Sequence, residues 1–504
     1  MIISVAMTAT VSKALEAHLA REDGDEDVCI ASYAWSTGVK RATALIRSVI
    51  LPRDGERFVH GNASFTGAYV LRAAAEAAGR GEGIVLLHSH PGAKTWQGLS
   101  GPDFSTESEY ERVARTITGM PLVGMTLGTG GQAWSARVWS EAKRPTHAES
   151  VRVVGDSCEI TWNDRLRLRP TATRFQKRTV SAWGEERQAS IARLRVLVIG
   201  VGSVGLDVAT RLAATGVEHV GAMDIDIVED VNLDRMIGAT REDATLRRRK
   251  TEVAGRLARG SSTSDNFTFV AHDVSITTPE GLAQALDYDV IFSCVDRAWA
   301  RSVLNGLAYS DLIPVIDGGI SLETLPSGEM RGGTWRAHAL VPGQPCMECN
   351  GQLRVNEVAL DRNGLLDDPE YIKRAGLAPR TASPNVAALA ASVSALQLAL
   401  FVSLVANPGG MGVPGPLRYL LAPQHLEHLP VAIHPLCVYE NDLASGDGRI
   451  TLTRSAGVNL GDHSKIPRST HRGIFAQCMR AIVHQRARWH RMLTTARTRQ
   501  YRSE

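Results

Sequence analysis

Two histidines one residue apart, His88-Ser89-His90-Pro91, are followed at short range by Ser100-Gly101-Pro102-Asp103. In an extended strand, residues i and i+2 face the same side, so His88 and His90 can offer two imidazoles to one metal ion. Asp103, returning after a loop, adds a carboxylate. Three protein ligands leave a fourth position open, which is the arrangement of a catalytic zinc rather than a structural one. Zinc lowers the pKa of a bound water to about 7, and a nearby carboxylate must then take the proton. Glu26, just ahead of a strand expected over 27–34, is the candidate base. Ser100 could donate to the oxyanion that forms on an attacked carbonyl.

A second set begins at Gly200-Val-Gly202-Ser-Val-Gly205, between the apolar run Arg195–Ile199 and a helix expected over 203–214. Glycines allow a tight turn and a close approach of phosphate, and a helix N-terminus favours anionic oxygens. Alone, this pattern serves nicotinamide dinucleotides as well, and Asp224 lies about 20 residues on, where a ribose-binding acid would stand. The residues beyond separate the readings. Asp224-Ile-Asp226 is followed by Asn232-Leu-Asp-Arg235, by Lys250 and by Cys294-Val-Asp296-Arg297. Hydride transfer has little use for an extra Arg, a Lys and an acid around the phosphates, whereas ATP cleavage does. Arg235 and Lys250 would neutralise a triphosphate, Asp296 would hold magnesium as pyrophosphate leaves, and Asp224 would bond the ribose.

The first set resembles the signature of the JAMM (MPN+, Mov34/MPN/PAD-1-like) metalloproteases, H-x-H-P then S-x-x-D with a distant upstream Glu, over about residues 1–150. The resemblance implies an α/β domain of cytidine-deaminase-like fold and cleavage of isopeptide or peptide bonds to ubiquitin-like proteins. It makes His88, His90 and Asp103 the zinc ligands, Ser100 the oxyanion residue and Glu26 the general base, with Glu22 farther from the strand. The stretch from Pro91 to Ser100 is slightly longer than the family's usual one, which points to a modified loop. The second set resembles the ubiquitin-activating enzymes and their bacterial ThiF and MoeB relatives, over about residues 174–440. This implies a doubly wound, Rossmann-like domain that uses Mg-ATP to adenylate the C-terminal glycine of a ubiquitin-like carrier. The matched positions are Gly200, Gly202, Gly205, Asp224, Asn232, Arg235, Lys250 and Asp296. Such enzymes are commonly dimers, with an Arg from an early helix reaching the partner's site; Arg178 or Arg174 would serve here.

Cys346-Met-Glu-Cys349 is half of a structural zinc knuckle, and Cys437 in His434-Pro-Leu-Cys437-Val-Tyr-Glu440 is a third candidate ligand. The fourth would be His434, Glu440 or nothing. Many relatives pass the activated chain to a Cys on a loop before a long buried helix, yet that loop here reads Arg380-Thr-Ala-Ser-Pro-Asn385. Either the reaction stops at the adenylate, or Ser383 or Thr381 forms an oxyester, a poorer course because a hydroxyl is a weaker nucleophile than a thiolate. Cys294 is expected on a core strand, and Cys29, Cys158 and Cys478 lie outside the motifs.

The elements that must hold these residues follow from apolar patterning. Strands are expected over 27–34, 84–90 and 121–127 and a helix over 66–78, then strands over 195–200, 218–225, 266–271, 289–294 and 314–317 in a parallel α/β rhythm. Three blocks result: 1–155, 170–440 and a basic extension, 449–504, with 138–173 as a charged, proline-bearing junction. Apolar residues are 44% and charged residues 22% of 504, which excludes bulk disorder, and seven Cys exclude a secreted disulfide scaffold. No signal peptide is evident in 1–20, so a cytoplasmic location is expected. The uncharged run 382–417 is long enough to cross a bilayer, but its Ala, Ser and Gln content reads as a buried helix. Residues 449–504 hold twelve basic and two acidic residues, a net of +10, in a chain of formal charge +3. A solvated tail or a helix on an acidic partner fits better than nucleic-acid binding, since no reading motif is present.

Together these readings predict a bifunctional enzyme, a zinc (iso)peptidase and an adenylating enzyme for one ubiquitin-like carrier, in a bacterial conjugation or antiviral pathway with a separate conjugating enzyme. Two alternatives remain open: sulfur-carrier activation for cofactor biosynthesis, which neighbouring genes would reveal, and a non-catalytic carrier-binding scaffold, which absence of carrier-dependent pyrophosphate exchange would favour.

Overall fold

The computed structural model describes residues 1–140, 144–375 and 384–450. In the first part, strands β1 (Ile2–Thr8), β2 (Val28–Thr37), β3 (Arg41–Ile50), β4 (Arg57–His60), β5 (Asn62–Phe65), β6 (Gly83–His90), β7 (Leu122–Gly128), β8 (Ala133–Trp139), β9 (Thr146–His147), β10 (Ser150–Val154) and β11 (Cys158–Trp162) alternate with helices α1 (Ala9–Leu19), α2 (Gly67–Gly79) and α3 (Gly101–Thr118). Nine strands form one mixed sheet in the order β11-β10-β1-β3-β2-β6-β7-β8-β9, and β4 and β5 form a separate hairpin. The two-residue period of β6 explains the layering. Val85 and Leu87 join Leu15 and Leu19 of α1 in one core, whereas Ile84 and Leu86 join Val70 and Ala73 of α2 and Ala114 of α3 in the other. His88 and His90 continue the α2/α3 face.

This sheet runs through Trp162, past the boundary expected at residue 155. The stretch 138–173, expected as a junction, supplies strands because Ser150–Val154 is apolar enough to pair parallel to β1, and Cys158–Trp162 turns back antiparallel onto it.

The second part contains strands β12 (Arg195–Ile199), β13 (His219–Met223), β14 (Thr268–His272), β15 (Val290–Ser293), β16 (Val315–Thr324), β17 (Met330–Leu340), β18 (Leu417–Leu420) and β19 (His425–His428). Its main helices are α4 (Lys177–Ala192), α5 (Ser203–Thr215), α6 (Arg241–Thr245), α7 (Lys250–Ser261), α8 (Pro279–Ala285), α9 (Ala298–Ser310), α10 (Val355–Arg362), α11 (Pro369–Arg374) and α12 (Ala387–Ala406). The sheet order is β14-β13-β12-β15-β16-β17-β18-β19. The first five strands are parallel and the rest antiparallel. Val196 and Val198 pack towards α5 and α12, and Leu197 and Ile199 towards α9. Chain order reverses between β12 and β15, which is where a doubly wound sheet opens a crevice at its carboxyl edge.

α12 is the one helix among the described residues long and apolar enough to span a membrane. Its polar residues are bonded inward, with Gln397 Nε2 donating to the carbonyls of Ser293 (3.1 Å) and Ile316 (2.9 Å) across the sheet. Such a pairing satisfies a buried amide and suits a core helix.

The described residues of both parts belong to one compact unit. Ala6, Leu45, Val154 and Trp162 of the first sheet belong to the same apolar core as Val196, Leu206 and Leu404. At the edge of that core the buried Asp289, just before β15, gathers charge from both sheets. Arg152 lies at 3.1 Å, Arg41 is closer still, and the Arg195 N–H donates at 2.9 Å. The Thr37–Arg41 turn thus meets the amino ends of β12 and β15. Asp447 accepts from Thr37 N (2.9 Å) and Thr37 Oγ1 (2.6 Å), adding a strap across the joint.

Candidate functional site

Proline ends β6 directly after His90, and Ser100 starts α3 a loop later. Ser100 Oγ accepts from Asp103 N (3.2 Å), and Asp103 Oδ2 accepts from Ser100 N (2.9 Å), a reciprocal cap that fixes the first turn. The same carboxylate faces the histidines: Asp103 Oδ1 is 3.4 Å from His88 Nε2, Oδ2 is 3.6 Å from His90 Nε2, and the two Nε2 atoms are 3.1 Å apart. All three ligand atoms lie within 4.8 Å of one another. Burial raises the Asp103 carboxyl, but its bonds with His88 and His90 outweigh that and hold it well below the usual range. Two imidazoles and a carboxylate converging in this way are a donor set that fits zinc.

The long loop between Pro91 and Ser100 lies on the turn after β7. A Cβ at Gly130 would stand 2.4 Å from the Gly92 carbonyl, so only glycine lets the two backbones meet. Thr129 Oγ1 accepts from Gly92 N (3.1 Å), and Ser135 Oγ donates to Gln97 Oε1 (3.2 Å). Glu26 lies two residues before Val28, whose partner in β6 is His88. Ser100 is the helix cap as well as the oxyanion candidate, and its hydroxyl proton remains available because the cap uses only its lone pair.

In the second sheet, Gly200 has φ +85°, and a Cβ there would stand 2.7 Å from the Cys294 carbonyl at the end of β15. At Gly205 a Cβ would meet the Gly200 carbonyl at 2.0 Å, so strand and helix can touch only through glycine. Gly202 has open space around it and stands at the N-cap of α5. Asp224, at the end of β13, accepts from Val201 N (2.8 Å) and Asp226 N (2.9 Å), tying the glycine turn to the neighbouring strand. Burial raises its carboxyl above the ordinary range. Asp296, exposed after β15, stands at the next strand end.

The basic residues are engaged by acids. Lys250 Nζ is 2.8 Å from Asp226 Oδ2, Arg235 is 2.8 Å from Asp234 Oδ1 and also bonds the Val231 carbonyl. A triphosphate would have to take both from these partners. Asn232 Oδ1 accepts from Glu229 N (3.0 Å) and is a local cap. Two partners escaped the sequence reading. Arg297 binds Asp361 (3.0 Å) and Asp367 (2.6 Å), fastening α10 and the turn after it beside Asp296. Asn385 Nδ2 donates to Ser203 Oγ (3.0 Å) at the head of α5. The second is discoverable from sequence only as a polar residue heading an apolar helix. Arg174 and Arg178 are exposed, with Arg174 lying over the Phe175 ring at 4.8 Å.

Cys346 Sγ is 3.5 Å from Cys349 Sγ and 3.7 Å from Cys437 Sγ, although Cys437 is far along the chain. Three thiols at this spacing fit a soft ion such as zinc. Neither proposed fourth ligand joins the cluster. His434 Nδ1 accepts from Leu436 N (3.1 Å), and the carboxyl of Glu440 is raised by burial, with its Oε2 lacking a hydrogen-bond partner. Burial raises the Cys346 and Cys437 thiols and also acts on Cys349, where the His434 N–H and neighbouring thiols reverse it. Cys294 is half-buried, its thiol pushed up to about 12 by desolvation and directed at Gln397 (3.6 Å), which leaves little thiolate near neutrality. Thr381, Ser383 and Cys478 lie outside the described residues.

The glycine turn, the strand-end acids and the reversal between β12 and β15 coincide with a family match: residues 176–419 fit the model of the ThiF family. Residues 176–419 are a ThiF-like domain. The chain is 29% identical over 139 residues to the adenylyltransferase and sulfurtransferase MOCS3 of Caenorhabditis briggsae, 28% of this chain and 34% of that protein. It is 26% identical over 138 residues to SUMO-activating enzyme subunit uba-2 of Caenorhabditis elegans, 27% of this chain and 23% of that one. The chain thus spans about a third, or less, of these relatives' length. Among solved structures, E. coli MccB with ATP aligns over 53% of this chain and 74% of its own, with a TM-score of 0.42 and 16% identity. The ThiF-like domain contains all of the nucleotide-site candidates and the Cys346–Cys349 pair, while Cys437 lies just beyond it.

Proposed function

We propose that the ThiF-like domain adenylates the C-terminal carboxylate of a ubiquitin-like carrier with Mg-ATP. What supports this most is the crevice at the β12/β15 reversal, where Gly200, Asp224 and Asp296 stand at three adjacent strand ends. The α5 N-terminus would receive phosphate oxygens at Gly202, and Lys250 and Arg235 would leave their acids to meet them. Asp296 would hold magnesium and Asp224 keep the turn closed. Carrier-dependent exchange of labelled pyrophosphate into ATP tests this: wild type should exchange and Asp296→Ala should not. No exchange with any carrier would overturn the reading in favour of a scaffold. Exposed Arg174 and Arg178 suit a homodimer in which each serves its partner's site.

We further propose that the first sheet carries a JAMM-type peptidase centre on His88, His90 and Asp103. Zinc there would polarise a peptide carbonyl and supply water that ionises near neutrality. Glu26 would take the proton, and Ser100 would donate to the oxyanion. This centre would trim the carrier to its glycine or remove it from targets, in a bacterial conjugation or antiviral pathway with a separate conjugating enzyme. His88→Ala should lower bound zinc by one ion per chain, measured by metal analysis; unchanged zinc refutes the ligand set. A second zinc would sit on Cys346, Cys349 and Cys437. The MOCS3 relatives are named as both adenylyltransferases and sulfurtransferases, which supports sulfur-carrier activation as the second reading, since the adenylate would then pass to a sulfur donor. Thiocarboxylate on the carrier, seen by mass spectrometry, would select it.

A further inference from the structure

The backbone pairing beside the histidines has an unusual closure. At the start of β2, Ser89 N–H donates to the Asp27 carbonyl (3.0 Å), as a ladder requires. The return bond does not use the Ser89 carbonyl: Asp27 N–H donates to Ser89 Oγ at 2.9 Å. Both residues are buried, Ser89 fully and Asp27 at 1% exposure. The carboxylate of Asp27 is fixed in turn, accepting from its neighbour Val28 N (2.7 Å) and from Arg57 (2.6 Å), with Arg21 at 3.5 Å. Asp27 and Ser89 point to the α1 face, where His18 stands 3.7 Å from Asp27.

Val28 opposes His88, and the Asp27–Ser89 bonds carry that register one step further. Continued by one more residue, that register would set Glu26 across from His90, on the ligand face. In a regular ladder the position beyond such a bonded pair is a non-bonded one, where opposing side chains come closest. The Glu26 N–H points away to the Gly61 carbonyl (3.3 Å), as that register demands.

We propose that Ser89, through its hydroxyl, is the positioning residue that holds Glu26 within reach of the metal's open position. It rests on the reading of this centre as a hydrolytic zinc site. Without the hydroxyl, the buried Asp27 amide has no acceptor, and the 25–27 segment shifts about the carboxylate that Arg57 keeps so that the amide reaches one. Glu26 leaves with it, while His88, His90 and Asp103 stay, because β6 and α3 hold them.

The test uses the full chain loaded with cobalt and its visible absorption at one pH near neutrality, with Glu26→Gln marking the spectrum without the base. Ser89→Ala should reproduce that spectrum at unchanged metal content, and Ser89→Thr, which keeps the acceptor oxygen, should restore the wild-type one. Hydrolysis of a carrier–glycine linkage should fall roughly tenfold or more in kcat with KM unchanged. A wild-type spectrum in Ser89→Ala, with Glu26→Gln shifted, overturns the proposal and leaves the zinc reading standing. Failure of wild type to bind cobalt at His88 and His90 overturns both. Should Ser89→Ala not fold, Ser89→Cys replaces it: its weaker acceptor should give a spectrum between the two, and a wild-type spectrum overturns the proposal.

Discussion

His338 in β17 has no exposed surface, and burial pulls its imidazole down to about 4. Asn350 Nδ2 donates to its Nδ1 at 3.0 Å, which sets the proton of the neutral ring on Nε2, where no described group accepts it. Its folded pKa lies below the ordinary value of 6.5, so the unfolded chain takes up the proton first. Its contribution is whole above pH 6.5 and is lost as pH falls towards 4, about 3 kcal/mol across that window. Urea denaturation at pH 7 and pH 5 should show this loss, and His338→Gln should flatten it; an equal slope in the variant refutes the assignment. Asp103 allows a second prediction, because one carboxylate both caps α3 and faces the histidines. Asp103→Ala should destabilise even the metal-free chain by about 1 kcal/mol, whereas His88→Ala should not, as melting in chelator would show. His88, His90, Asp103 and the thiol trio are legible in sequence because local spacing or a family pattern brings them forward. The bond between Asp27 and Ser89 is not legible, since it depends on which strands pair and in what register.

The elements best legible in sequence are those with continuous apolar runs. Arg195–Ile199, Val290–Ser293 and α5 fall within a residue or two of expectation, as buried parallel strands and the helices on them should. β16 was expected to stop at Asp317 but continues to Thr324, paired with a β17 that the apolar pattern did not announce. Gly318, Gly319, Gly332 and Gly333 interrupt its alternation, and the pairing partner across the sheet supplies the order instead. The glycine turn offers the sharpest element-scale test. Gly205→Ala sets a methyl against the Gly200 carbonyl and should open the turn, lowering the melting temperature and abolishing ATP binding by calorimetry. Gly202→Ala meets no atom within 4 Å and should leave the melting temperature nearly unchanged. Equal melting of the two would refute the close-approach argument.

At the scale of the molecule, Asp289 decides how the two sheets behave together. It is fully buried, and although burial raises its carboxyl, Arg41, Arg195 and Arg152 hold it down at about 2. Asp289→Ala strands two guanidiniums and should cost about 3–5 kcal/mol. The wild-type chain should melt in one calorimetric transition, and two separate transitions would contradict a shared core. None of this is readable from sequence, because Arg41 and Asp289 carry no motif and meet only through the fold. The Thr37–Arg41 turn that meets Asp289 stands at the opposite end of β2 from Val28 and His88, and Arg195 stands at the opposite end of β12 from Gly200. Each proposed site therefore lies at the strand end away from the seam, and on the reading proposed above a carrier would have to leave one before visiting the other. On that reading, tethering would confer equal dosage of the two proposed activities rather than a private corridor. An equimolar blend of His88→Ala and Asp296→Ala chains should convert a precursor as fast as wild type at matched active sites, and excess ready-trimmed carrier should fully dilute the product pool.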